Sequence, residues 1–251
     1  VNENSWTIGG LEFRMLMEHI GRDRLPFPLQ FQPTAESAAD YHRQRHDAAT
    51  SVLAQLDDDL RVASNTIRDP HLRIELIGHT TVEGSSPVKL RAHASIRHDV
   101  ATVLVQQPGL DDRSGGPVEL HLVESHRAVR MILDVLPATK PGRSPRIDLR
   151  PPDDAAPLFH SVSQRSAEER MNKLFSRPRS SAGEIHVCAG PATDSRPDTE
   201  PTGVQWADVP GDGRYMIRHS STISVTAVSV TDLGDEIRKL ANEKTANSRY
   251  R

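Results

Sequence analysis

The residues of this 251-residue chain that could do chemistry are 12 histidines, one cysteine and a few carboxylate clusters. His42 and His46 stand four apart on a predicted helix, where both side chains can turn to one side and face a metal ion. A zinc peptidase needs glutamate directly after the first histidine, but Arg43 stands there and repels a cation. The pair therefore reads as solvent-exposed helix histidines. Asp57-Asp58-Asp59 reads as a solvated turn, and Asp153-Asp154 as part of a linker. Cys188 falls at an inward strand position beside Val187 and Ala189. No cationic neighbour in sequence favours its thiolate, so it reads as a buried structural thiol. Gly211-Asp212-Gly213 is too short for a phosphate-binding loop and fits a hairpin turn. No Gly-x-Ser-x-Gly elbow is present. The expectation is a chain with no catalytic residue, no cofactor and no metal. One charge pattern remains: Lys89, Arg91, His93 and Arg97 share one face of a strand. Such a stripe can grip an acidic partner, although a strand's polar face is ordinarily just solvated.

The elements that must carry these residues follow from periodicity. Thr7 is placed to cap a helix starting near Gly9 or Gly10, with Leu11, Met15, Leu16 and Ile20 at helical spacing up to Gly21. Leu25-Pro26-Phe27-Pro28-Leu29 is held extended by its prolines. Thr34 is a candidate cap for a long helix through Leu56, and a shorter one runs to Ile67. From His71 the period becomes two, with strands around Leu72–Leu76, Val88–Ile96, Ala101–Val105 and Val118–Leu122. A helix through Ala128–Leu136 follows. Residues 137 to about 157, rich in Pro, Arg and Asp, read as a linker. Ser166-Ala167-Glu168-Glu169 resembles a capping box before Met171, Leu174 and Phe175. Strands around Ile185–Ala189, Val204–Trp206, Tyr215–Ile217 and Ile223–Ala227 precede a last helix with Leu233, Ile237 and Leu240.

The same order thus occurs at 36–136 and again at 166–243, one short helix replacing two. The expected fold is α+β: a mostly antiparallel central sheet flanked by helical bundles, in two pseudo-twofold related halves. The expected organisation is residues 1–136 as the first half, 137–165 as an irregular linker and 166–251 as a shorter second half. Together they make one globular domain with a loose C-terminal tail.

Composition narrows the function. Hydrophobic residues make up 36%, charged residues 26% and aromatic residues 4%, and 31 basic against 34 acidic residues give a net charge of -3. That balance carries no electrostatic footprint for nucleic acid. One cysteine suits a reducing compartment. No apolar run approaches the roughly 20 residues of a membrane helix, and the N-terminal residues carry no secretory signal pattern. The expectation is a cytoplasmic protein without membrane insertion.

Certain segments, in order, resemble the EspG family of ESX (type VII) secretion-associated proteins. They are Trp6-Thr7 with Leu11-Glu12-Phe13, then Leu25 to Leu29, Val103 to Gly109, Arg177-Pro178-Arg179 before Gly183-Glu184-Ile185, and Trp206 to Val209 with Gly211 to Tyr215. The resemblance implies a cytosolic chaperone of mycobacteria and related actinobacteria that binds PE–PPE heterodimers over the apolar tip of the PPE helical bundle. It also implies a contact surface made of the sheet, the Thr80–Pro87 loop and the C-terminal bundle. The candidate contact residues are Thr81, Val82, Glu83, Gly84, Ser85, Ser86, Lys89, Arg91, Arg238 and Lys239. Neither nucleotide nor metal is implied, and the oligomeric state is left open between monomer and weak homodimer. The alternative is a non-catalytic scaffold or regulator of the same fold that binds a different protein.

Overall fold

The computed structural model describes residues 4–81, 85–111, 113–150, 162–192 and 202–248. Its elements begin with β1 (Asn4–Ile8), α1 (Gly10–His19), α2 (Ala38–Gln55) and α3 (Asp58–Arg68). A four-strand run follows, β2 (Leu72–Thr80), β3 (Val88–Arg97), β4 (Val100–Pro108) and β5 (Gly115–Glu124), and then α4 (Ala128–Leu133). The second series is β6 (Ile147–Leu149), α5 (Val162–Phe175), β7 (Ser181–Ala189), β8 (Thr202–Val209), β9 (Gly213–His219), β10 (Ile223–Ala227) and α6 (Val230–Ser248).

All ten strands join one antiparallel sheet in the order β1-β5-β4-β3-β2-β7-β8-β9-β10-β6. Outward from the central β2–β7 pair, both sides read alike: a four-strand meander, then the strand that opened the series. The central register, Leu72 opposite Ala189 through Thr80 opposite Ser181, is the antiparallel pairing that a twofold axis normal to the sheet requires. Two helix pairs follow the same symmetry, α3 with α5 and α4 with α6, whereas α1 and α2 have no counterpart in the second series. α4 and α6, each following a meander, pack together on one face over Ile74, Leu76, Val103, Ile185 and Val204. α1 and α3 cover the other face at the β4–β5 end, over Leu104, Leu120 and Leu122. α5 covers that same face at the far end, over Ala207, Tyr215, Ile217 and Val225. Alternation along each strand therefore feeds two cores on opposite sides of one sheet.

Several boundaries differ from the periodic reading, each for a local reason. The chain around Thr7 pairs with β5 as an edge strand, so Thr7 caps nothing, and Gly9 stands at the helix start without a side-chain bond. Ser37 rather than Thr34 caps α2, its hydroxyl accepting from the Asp40 amide. Asp57, exposed in the turn as expected, also caps α3 by accepting from the Leu60 amide at 2.7 Å, and Asp58 and Asp59 sit favourably in the first turn. Ser166 lies inside α5, which begins a turn earlier than the capping-box pattern suggests. The stretch read as a linker holds edge strand β6, whose Ile147 is buried against α5. Its preceding residues are tied to β9, where the Arg214 amide donates to Lys140 and the Gly142 amide donates to Arg214. At the other end α6 continues to Ser248, well past Leu240, where the apolar spacing fades. Asp153 and Asp154 lie outside the described residues.

Candidate partner-binding surface

Between the α1–α3 layer and α5, the face of the sheet that both cover has an unroofed middle. Its floor is made by β2, β3, β7, β8 and β9. Ile77, Ala182, Glu184 and Lys89 are half-buried there, and His79 and Gln205 are exposed. Phe175 and Arg179, at and just beyond the end of α5, form one wall, with the guanidinium 5.4 Å from the ring centroid and donating to the Phe175 carbonyl. The resulting open groove has a volume of about 380 Å³. Apolar area from Ile77, Ala182, Ile217 and Phe175 is rimmed by Lys89, Arg179, His79 and Glu184.

The floor is thin because of two glycines. Gly78 and Gly183 face each other across the central pair, and the Trp206 indole lies across both on the opposite side of the sheet. A Cβ on Gly78 would meet that ring at 2.6 Å, and one on Gly183 would overlap it. The indole N–H donates to Ser181 Oγ at 3.1 Å, so the large side chain is buried with its polar atom satisfied.

Towards the β3–β4 turn the same face becomes buried and polar. Arg73 and Glu75, both buried, pair at 3.0 Å, and Arg73 also donates to the Gly190 carbonyl. Cys188 is fully buried, as its strand position implied, with Sγ 3.9 Å from Glu75 Oε2. His93 Nδ1 donates to the Phe27 carbonyl at 2.7 Å, leaving Nε2 to accept from Ser95 Oγ at 2.9 Å in the neutral tautomer. Burial pushes the His93 pKa down, with the Arg73 charge adding to the effect and Glu75 and the Phe27 carbonyl opposing it.

These residues are covered by the proline-held segment 22–33, which crosses the sheet as a strap. Gln106 fastens it by imitating a neighbouring strand: its Oε1 accepts from the Gln30 amide at 2.9 Å and its Nε2 donates to the Gln30 carbonyl at 2.6 Å. Arg91 donates to Gln30 Oε1 at 3.0 Å and is only 2% exposed. The expected solvated stripe is thus corrected. Arg91 and His93 lie beneath the strap, and Arg91 is withdrawn as a contact residue because its guanidinium serves the fold. Periodicity cannot foresee this, since the cover comes from a segment some sixty residues away.

The other candidates divide. Thr81, Ser85, Ser86 and Lys89 gather at the β2–β3 hairpin beside the groove; Ser85 and Ser86 are exposed, and the Thr81 amide donates to the Ser180 carbonyl at 2.7 Å. Val82, Glu83 and Gly84 lie outside the described residues. Arg238 and Lys239 are exposed on α6, but that helix packs on the opposite face, and Arg238 donates to Asp235 at 2.7 Å. They do not share a groove with Lys89. His42 and His46 are exposed on α2. Among the described residues no three His, Cys, Asp or Glu side chains converge as a metal site requires.

Strand order, helices on both faces and the open groove set the frame for comparison with known proteins. The EspG family model matches residues 10–239, nearly the whole chain. The chain belongs to the EspG family. No curated protein matches it. Membership makes this an ESX secretion-associated protein of a chaperone-type family. Among the described residues no helix of this EspG member is long and apolar enough to cross a membrane. The segments that carried the resemblance have structural roles here: Leu25 to Leu29 is part of the strap, and Trp206 backs the groove floor. Gly211-Asp212-Gly213 makes the β8–β9 turn, with left-handed φ at Gly211 (69°).

Proposed function

We propose that the chain captures PE–PPE heterodimers in the cytosol, without catalysis, and covers the apolar tip of the PPE helical bundle until export. The observation that carries this is the open groove on the sheet face, flanked by the exposed β2–β3 hairpin. Its chemistry suits a helical tip. Ile77, Phe175 and Ile217 offer apolar area for anchors, while Lys89, Arg179 and Glu184 supply a polar rim. An anchor side chain moved from water into such a groove gains about 1.5–3 kcal/mol. Two or three anchors approach the roughly 8 kcal/mol of micromolar binding only when little is lost on association, so a releasable complex results. Thr81, Ser85, Ser86 and Lys89 remain proposed contacts in this reading, joined by Ile77, Phe175 and Arg179. Val82, Glu83 and Gly84 belong to the same hairpin loop in sequence and are proposed with it. Arg238 and Lys239, behind the sheet, belong at most to a separate contact.

Co-expression with a PE–PPE pair tests the proposal. A stable ternary complex is expected on size exclusion, and Ile77→Asp is expected to abolish it while the variant stays folded. A complex that survives Ile77→Asp and Lys89→Glu together would place the contact elsewhere.

A further inference from the structure

A second concavity lies across the strap from the groove and shares no residue with it. It is an open cavity of about 700 Å³ between α1, strap residues 23–32 and the β4–β5 loop. Leu25, Leu29 and Phe31 give it an apolar side, and Arg14, Arg24 and Arg113 point into it against a single Asp23. Two carboxylates lie near these arginines without lining the cavity. Glu18 takes both oxygens to Arg45, at 3.0 and 2.7 Å, and binds Arg14 only through Nε at 3.2 Å. Asp111 accepts from the Arg113 and Ser114 amides through Oδ1, both at 2.8 Å, and its charge also acts on Arg113. Arg24 and Arg113 make no ion pair among the described residues.

The walls are braced rather than loose. The Gln106–Gln30 pair fixes the strap, and Phe31 lies against Gly10, where a Cβ would meet its ring at 2.6 Å. Asp111 and Ser114 brace the β4–β5 loop, yet they present Leu110 at its apex 98% exposed. An exposed large apolar side chain on a braced loop beside exposed arginines is the composition of a recognition surface.

We propose that this cavity docks a short acidic peptide segment of a partner protein, with one large apolar side chain seated against Leu25 and Phe31. Charge complementarity selects this occupant: the cations match carboxylates, for which guanidinium offers a fork of donors. The site is independent of the sheet groove, so it permits a second protein to bind while cargo is held.

The test uses the full chain and a fluorescein-labelled peptide of alternating Glu and Asp with a central Phe. Saturable binding is expected at low salt, weakened about tenfold or more in Arg24→Glu/Arg113→Glu and weakened by added salt. Both arginines are exposed, so the melting temperature of the double variant should be unchanged. A peptide with Gln and Asn in place of the acids, or with Ser for Phe, should bind markedly less well. The proposal is overturned if the acidic peptide does not bind, if the charge-reversed protein binds it equally, if the neutral peptide matches it, or if inorganic polyphosphate binds as well as the peptide does.

Discussion

Asp208 and Arg214 offer the sharpest test of how the sheet is held behind the groove. Each side chain is 1% exposed, and they pair bidentately, with Arg214 Nε to Oδ1 and Nη2 to Oδ2 both at 2.7 Å. Arg214 also donates to the Pro137 carbonyl at 2.8 Å, and Thr139 Oγ1 donates to Asp208 Oδ2 at 3.1 Å. The pair thereby fastens the chain after α4 onto β8 and β9. Asp208→Asn keeps the shape but leaves a buried guanidinium without its counter-charge. Removing one partner of such a pair costs about 3–5 kcal/mol. At roughly 2–4 °C per kcal/mol for a chain of this size, the melting temperature should fall by about 6–20 °C. Asp208→Leu/Arg214→Met removes both charges and should recover most of the loss, because no buried charge is stranded. Urea unfolding of wild type, Asp208→Leu, Arg214→Met and the double variant closes the cycle. A loss below about 1 kcal/mol in Asp208→Asn, or a double variant as unstable as the summed singles, would refute the reasoning.

Acidification should destabilise the fold through His93. Its folded pKa lies below the unfolded value of about 6.5, so below that pH the unfolded chain binds more protons than the folded one. The stability this gives is complete above the unfolded pKa and is lost as pH falls below it, at up to about 1.4 kcal/mol per pH unit. His93→Gln should flatten that part of the pH profile in urea titrations, and an unchanged slope would exclude His93 as its source. Gly183→Ala drives a methyl into the Trp206 ring and should cost about 1–3 kcal/mol with a shift in tryptophan emission. A neutral substitution would mean that the indole and the Ile77–Gly78 backbone both have room to move. Val82→Asp, in the β2–β3 loop, should weaken cargo capture in pull-down while leaving the melting temperature nearly unchanged. Equal capture would remove the loop from the contact.

The sheet was legible because its strands bury one face: Val88, Leu90, Ala92, Ala94 and Ile96 alternate with polar residues, and that alternation fixes both strand and register. The repeated order of elements was legible for the same reason and anticipates the symmetric strand order. Edge strand β6 was not, because three residues give no period and proline-rich surroundings dominate the reading. Nor was the buried polar layer. Arg73, Glu75, Arg91 and His93 carry a solvent signature, yet the strap covers Arg91 and His93, and each of the four makes a hydrogen bond or ion pair inside the folded chain. The groove is hidden from sequence for a related reason. Its lining is drawn from five strands and a helix end, one to three residues from each, with small and charged types mixed. The β2–β3 hairpin beside it could be chosen from turn residues alone, whereas Ile77, Phe175 and Arg179 emerge only when β2 and the end of α5 come together.

The most direct test is the affinity for a purified PE–PPE heterodimer, measured by titration calorimetry with the wild-type chain and with Ile77→Asp. Micromolar or tighter binding by the wild type, lost in a variant that melts within a few degrees of it, is the predicted result. Undiminished binding by the variant would contradict the assignment of the groove to cargo.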